Sequence, residues 1–144
     1  IYYSQKKYEL AEKHLLNAEK LNNSDTPTHL GILYLTQGKL EQAEKYFLIL
    51  ANNNDNFAMN SLAIIYYRQE KYELVEKYYL MAANNNDSEA TYKLGLLYYK
   101  QEKYELAEKY LKKAYEEGYK DVEILLNNIK YKLKEKISQK PIIS

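Results

Sequence analysis

The sequence predicts an all-α solenoid of antiparallel helix pairs, and three observations carry that prediction. The first is a period. Gln5, Gln37, Gln69 and Gln101 stand 32 residues apart and open the phrases QKKYELAEKH, QGKLEQAEKY, QEKYELVEKY and QEKYELAEKY. A fixed period of roughly 20 to 50 residues marks units that bury their apolar faces only by stacking on their neighbours. The second is the spacing inside each copy, where apolar residues recur every three or four positions on both sides of a short polar turn. The third is punctuation by Asn tracts at 52–54 and 84–86 and by a Gln-x-Lys tripeptide at the same place in each copy, which break the helical pattern.

The third full copy shows the logic of the elements. Asp87 is a good N-cap, and Ala90, Leu94, Leu97 and Tyr98 then set a helical period, predicting a first (A) helix over 88–100. Gln101-Glu102-Lys103 make the turn, and Tyr104, Ala107, Leu111 and Ala114 set the period of a second (B) helix over 104–116. The tracts 52–54 and 84–86 end the preceding B helices, because Asn tolerates the left-handed conformation that helix ends favour. Pro27 falls in the first turn of its A helix, where a missing N–H is harmless.

Along the chain this predicts repeats over 1–120: a helix stub, a B helix at 8–21, and pairs at 24–51, 56–84 and 88–116. A helix near 121–137 and a tail over 138–144 follow. In that last helix Asn127 replaces the small residue of earlier copies and Lys130 the tyrosine, with further lysines at 132, 134, 136 and 140. A polar-faced capping helix has this composition, and so does a point where the native chain continues. Ile1-Tyr2-Tyr3-Ser4 aligns with Leu33-Tyr34-Leu35-Thr36, so the sequence is expected to open inside a repeat, and missing targeting signals carry no weight.

Columns of the repeat predict the packing. Gly31, Ala63 and Gly95 are small where helix A approaches helix B, as are Ala11, Ala43, Val75 and Ala107 opposite. Large side chains surround them in two columns, Tyr2/Tyr34/Tyr66/Tyr98 and Tyr8/Leu40/Tyr72/Tyr104. Each buried one contributes on the order of 1.5–3 kcal/mol, and each buried tyrosine hydroxyl requires a partner. The pairs Glu9–Lys13, Glu41–Lys45, Glu73–Lys77 and Glu105–Lys109 stand at i, i+4 on an expected solvated face, each adding roughly 0.2–0.5 kcal/mol.

Composition excludes several functions. The 144 residues contain no cysteine, hence no disulfide framework, thiolate metal site or cysteine nucleophile. Net charge is +1, and Arg68 is the only arginine among 21 basic residues, so nothing favours phosphate recognition or nucleic acid. No apolar run reaches the ~20 residues of a membrane helix, so no direct membrane insertion is expected. His14 and His29 lie in different helices without a shared motif, and the carboxylates fall in repeated solvated columns. No Gly-rich phosphate loop is present. The chain therefore reads as no enzyme, with no metal and no cofactor, and the sequence leaves its compartment open.

These residues resemble the tetratricopeptide repeat. Its pattern of Leu-Gly-x2-Tyr followed by Ala-x3-Phe stands here as Leu30-Gly31-x2-Tyr34 with Ala43-x3-Phe47. It recurs as Leu62-Ala63-x2-Tyr66 with Val75-x3-Tyr79, and as Leu94-Gly95-x2-Tyr98 with Ala107-x3-Leu111. The opening aromatic is replaced by Pro27, Met59 and Thr91. The link between pairs is shortened and similar to that of Sel-like repeats. The resemblance implies a right-handed superhelical solenoid whose A helices line a concave groove holding an extended peptide or a partner's helix.

Mapped onto this sequence, the groove takes Thr28, Asn60 and Tyr92 in one column, His29, Ser61 and Lys93 in the next, then Ile32, Ile64 and Leu96. Leu35-Thr36, Tyr67-Arg68, Tyr99-Lys100 and Tyr131-Lys132 complete it. The candidate peptide-binding residues are Asn60, Ile64, Tyr67, Arg68, Tyr92, Lys93, Leu96, Tyr99, Lys100 and Tyr131. An apolar floor with tyrosines and a rail of positive charge implies a peptide with apolar or aromatic anchors and acidic character. The alternative is a structural array that self-associates end to end, through the stub at Ile1–Ser4 and the apolar side of the last helix (Leu126, Ile129, Leu133, Ile137).

Overall fold

The computed structural model describes residues 2–21 and 25–141, with side chains from residue 5 onward; Ile1, residues 22–24 and residues 142–144 lie outside it. Tyr2 of the tyrosine column, the stub at Ile1–Ser4 as a contact surface and the start of the first pair at 24 thus fall outside the described side chains. Eight α-helices and no strand are present among the described residues. They are α1 (Tyr2–Lys20), α2 (Thr26–Thr36), α3 (Leu40–Asn52), α4 (Asn56–Arg68), α5 (Tyr72–Asn84), α6 (Ser88–Lys100), α7 (Tyr104–Glu116) and α8 (Glu123–Ser138). A single 3-10 turn, Lys120–Val122, leads into α8. The helices form two compact units, residues 1–75 and 76–144, with the boundary inside α5.

Local chemistry sets the helix ends. Asp55 Oδ1 accepts from the Ala58 amide at 2.8 Å and Asp87 Oδ2 from the Ala90 amide at 3.0 Å, satisfying N-terminal donors of α4 and α6. At the far ends of α3 and α5, Asn54 and Asn86 take φ values of 66° and 63°. The turn between paired helices also needs a left-handed residue. Gly38 supplies it between α2 and α3 at φ 74°, whereas Glu70 and Glu102 are held there at 59° and 58°.

In the first unit α2 packs on α1 and α3, and α3 on α4. Leu30, Ala43, Phe47, Met59, Leu62 and Ile65 are fully buried or nearly so. A Cβ on Gly31 would come within 2.9 Å of the Phe47 ring, which is why this position is small. In the second unit α6 packs on α7, and α7 on α8. There a Cβ on Gly95 would meet Leu111 Cδ2 at 2.6 Å and its backbone nitrogen at 3.2 Å.

The buried tyrosine column obtains its hydroxyl partners by a device that recurs three times. Tyr34 donates to Glu12 at 2.8 Å, Tyr66 to Glu44 at 2.8 Å and Tyr98 to Glu76 at 2.7 Å, always 22 residues back along the chain. The lysine of the following turn lies over each ring: Lys39 at 5.8 Å, Lys71 at 5.9 Å and Lys103 at 5.8 Å from the centroid. Each of those lysines also donates its amide N–H to the same tyrosine's carbonyl oxygen. Each of these three copies thus ties an A-helix tyrosine to a carboxylate of the preceding B helix and to its own turn. Burial, then the carboxylate bond, pushes the Tyr34 phenol up to about 12 and raises that of Tyr98 further.

Four expectations are corrected. The Glu–Lys pairs at i, i+4 do not form among the described residues. Lys45, Lys77 and Lys109 instead cover the rings of Tyr46, Tyr78 and Tyr110 at 5.7, 5.2 and 5.3 Å. Glu105 meets Lys136 of α8 at 3.1 Å. An aromatic face takes a lysine's apolar stem and its charge together, which a solvated carboxylate does not. The second large-residue column is rim rather than core: Tyr8, Leu40 and Tyr104 are half-buried, and Tyr72 is exposed. The turn at Gln5–Lys7 is absent, and α1 runs unbroken through it. Lys6 stands where Gly38 stands later, and a lysine does not take the left-handed conformation as readily as glycine. Finally, the apolar side of α8 is open only in part: Ile129 is fully buried and Leu126 and Leu133 half-buried, while Ile137 is exposed.

Candidate functional site

The candidate residues divide between the two units. In the first unit they lie on α4. Asn60 is buried, and its Nδ2 donates to the carbonyl oxygen of Asn56 at 3.1 Å, so the side chain turns back onto its own helix. Ile64 and Tyr67, 37% and 41% exposed, face solvent, and Arg68 ends the helix beside them. Ile32 on α2 is exposed to a similar degree. These are large apolar groups left in water, as is Phe57 near the start of α4, 52% exposed.

In the second unit Tyr92, Leu96 and Tyr99 recur at i, i+4 and i+7 on α6 and are half-buried, forming one stripe. Lys93 and Lys100 flank it and are exposed, with Lys93 Nζ 5.9 Å from the Tyr92 centroid. The helix C-terminus favours the positive charges of Arg68 on α4 and Lys100 on α6. Tyr131 stands apart on α8, 63% exposed, and no hydrogen bond or ring contact joins it to the α6 set. Its neighbour Lys132 pairs with Glu135 at 3.8 Å.

The aromatics of these faces are held by rings that the sequence pattern did not assign to the site. Tyr67 meets Tyr72 edge-on, centroids 5.7 Å apart and planes at 79°. Tyr99 meets Tyr104 likewise, at 6.0 Å and 71°. Tyr92 stacks on Tyr119 at 4.7 Å and 8°. The signal for the first two was available: an aromatic stands two residues before the turn glutamine and another three after it, in the second and third full copies alike. Leu35 and Leu40 fill those places in the first. Burial, followed by the carboxylates of Glu89 and Asp87, raises the Tyr119 phenol above its ordinary value. The α6 face is therefore acidic near Tyr119 and basic toward Lys100.

This arrangement offers contact area. No group of His, Asp and Glu side chains with metal-holding geometry occurs among the described residues. His29 Nδ1 lies 2.8 Å from the carbonyl oxygen of Asp25, the residue just ahead of its own helix. No described helix is long and apolar enough to cross a membrane. Comparison with known families finds a model described as a tetratricopeptide repeat, matching residues 28–90 and again 62–122. Among curated proteins none matches the chain.

Proposed function

Because the chain belongs to the tetratricopeptide repeat family, we propose that it is a non-catalytic scaffold that takes an extended peptide or a partner's helix on the solvent-facing side of its A helices. Repeats of this family generally mediate protein–protein interaction. The observation that carries the finer reading is the stripe Tyr92–Leu96–Tyr99, half-exposed on α6 with two of its rings held by Tyr119 and Tyr104. Rings already fixed lose little rotamer freedom on binding, so more of their contact energy reaches the complex. Ile64 and Tyr67 offer a second, smaller apolar face on α4. Arg68 and Lys100 favour acidic residues beside the ligand's anchors.

A random peptide display library selected on the full chain, with the enriched peptides titrated by calorimetry, tests this. Peptides with aromatic or apolar anchors next to acidic residues are expected. Leu96→Asp should weaken those that occupy α6 by at least about tenfold. Peptides that bind Leu96→Asp unchanged would place the site away from the α6 stripe. Unchanged binding to the separate variants Arg68→Glu and Lys100→Glu would remove the acidic component of the reading.

A further inference from the structure

The tyrosine latch has a missing member. Its acceptors are Glu12, Glu44 and Glu76, and the next residue in that column is Glu108 on α7. Twenty-two residues beyond Glu108, where the other three copies place tyrosine, stands Lys130 on α8. Lys130 is exposed, and Glu108 instead accepts from Lys112 on its own helix at 3.1 Å. The seam between α7 and α8 is thus closed without the bond found at the three earlier positions.

The rest of that seam is thin. Within α8 only Ile129 is fully buried, with Val122 just ahead of it, whereas α6 buries Ala90, Thr91, Leu94, Gly95, Leu97 and Tyr98. Ile124 and Ile137 remain 73% and 68% exposed. Among the described residues the ion pair across the seam is Lys136–Glu105, with side chains 61% and 63% exposed, a class of contact that stabilises little. Lysines at 130, 132, 134 and 136 repel one another along the helix, with Glu135 as their near counter-charge.

We infer that α8 is a releasable helix: it opens from α7 as a separate local step, while α6 and α7 stay paired, because its seam lacks the tyrosine–glutamate latch. Opening uncovers Leu126, Ile129 and Leu133 together with the side of α7 they cover. This inference is independent of what the A-helix faces bind. Segments with few buried apolar contacts form the low-stability end of a fold and exchange their amides by local opening.

Native-state hydrogen exchange on the full chain tests it, using a variant that restores the missing partner. In the wild type, α8 amides are expected to exchange at least about tenfold faster than those of α6. Lys130→Tyr should slow α8 roughly tenfold relative to Lys130→Phe, a change of about 1.4 kcal/mol, and leave α6 unaffected. Adding Glu108→Ala to Lys130→Tyr should abolish that gain. Lys130 is exposed, so these substitutions do not disturb a packed site. Equal exchange of α8 and α6 in the wild type would overturn the inference, as would equal protection from tyrosine and phenylalanine at position 130.

Discussion

Gly95→Ala isolates the close approach that pairs α6 with α7. In the middle of a helix, alanine is ordinarily favoured over glycine by about 0.8–1.0 kcal/mol. Here the added methyl carbon would lie 2.6 Å from Leu111 Cδ2, 2.7 Å from Cγ and 3.2 Å from the Leu111 backbone nitrogen. Leu111 is fully buried, so its side chain has no solvent to turn into, and the backbone contact limits what a rotamer change relieves. Overpacking of this kind costs about 1–3 kcal/mol. Subtracting the propensity gain leaves a net destabilisation of up to about 2 kcal/mol. Urea unfolding followed by far-ultraviolet circular dichroism reads this as a lowered midpoint. A double-mutant cycle with Leu111→Ala adds a sign test. That substitution alone should cost about 2–5 kcal/mol, but the pair should cost less than the sum, because each change removes part of the other's defect. If Gly95→Ala gains the full propensity advantage of about 0.8–1.0 kcal/mol over the wild type, or if the two changes add, steric exclusion by Leu111 is not why this position is glycine.

Tyr98→Phe keeps the ring and removes the hydroxyl that donates to Glu76 at 2.7 Å, so unfolding should become easier by about 1.5 kcal/mol; no change would mean that water replaces the bond at no cost. The tyrosines also set an alkaline limit. The phenols of Tyr34 and Tyr98 sit above their ordinary value of 10.0 in the fold, Tyr34 at about 12. Their contribution is complete below pH 10 and is lost as pH rises from about 10 toward 12. Thermal melts across that range should fall, and fall less steeply in Tyr34→Phe. Glu102→Gly relieves a left-handed glutamate at φ 58°. It should stabilise by about 0.5–1 kcal/mol, since the relief of about 1–2 kcal/mol exceeds glycine's entropic cost. A loss of stability in the same urea assay would show that the Glu102 side chain holds the turn.

The helical pattern was legible wherever one repeat's own chemistry decides it. Asp87 before an apolar 3–4 spacing predicted α6, and asparagines predicted the left-handed ends at Asn54 and Asn86, because caps and helix ends are local events. The smallness of Gly31 and Gly95 was legible for the same reason: a column of minimal side chains means that something approaches. The candidate face was half legible. Tyr92, Leu96 and Tyr99 share a stripe by helix geometry alone, whereas the burial of Asn60 and the separation of Tyr131 were not readable from alignment of columns.

What the amino acids determined unaided was, apart from the turn expected at Gln5–Lys7, which stretches are helices and which positions must be small. Those follow from hydrogen bonding and sterics within a few residues. Tertiary structure decided which partner each side chain chose. Glu12, Glu44 and Glu76 reach tyrosines 22 positions onward, Lys45, Lys77 and Lys109 cover rings instead of pairing with carboxylates, and Tyr72 and Tyr104 prop the rings of Tyr67 and Tyr99. A charged or aromatic side chain has several acceptable neighbours of similar energy. Only the packed arrangement of helices brings one of them within reach.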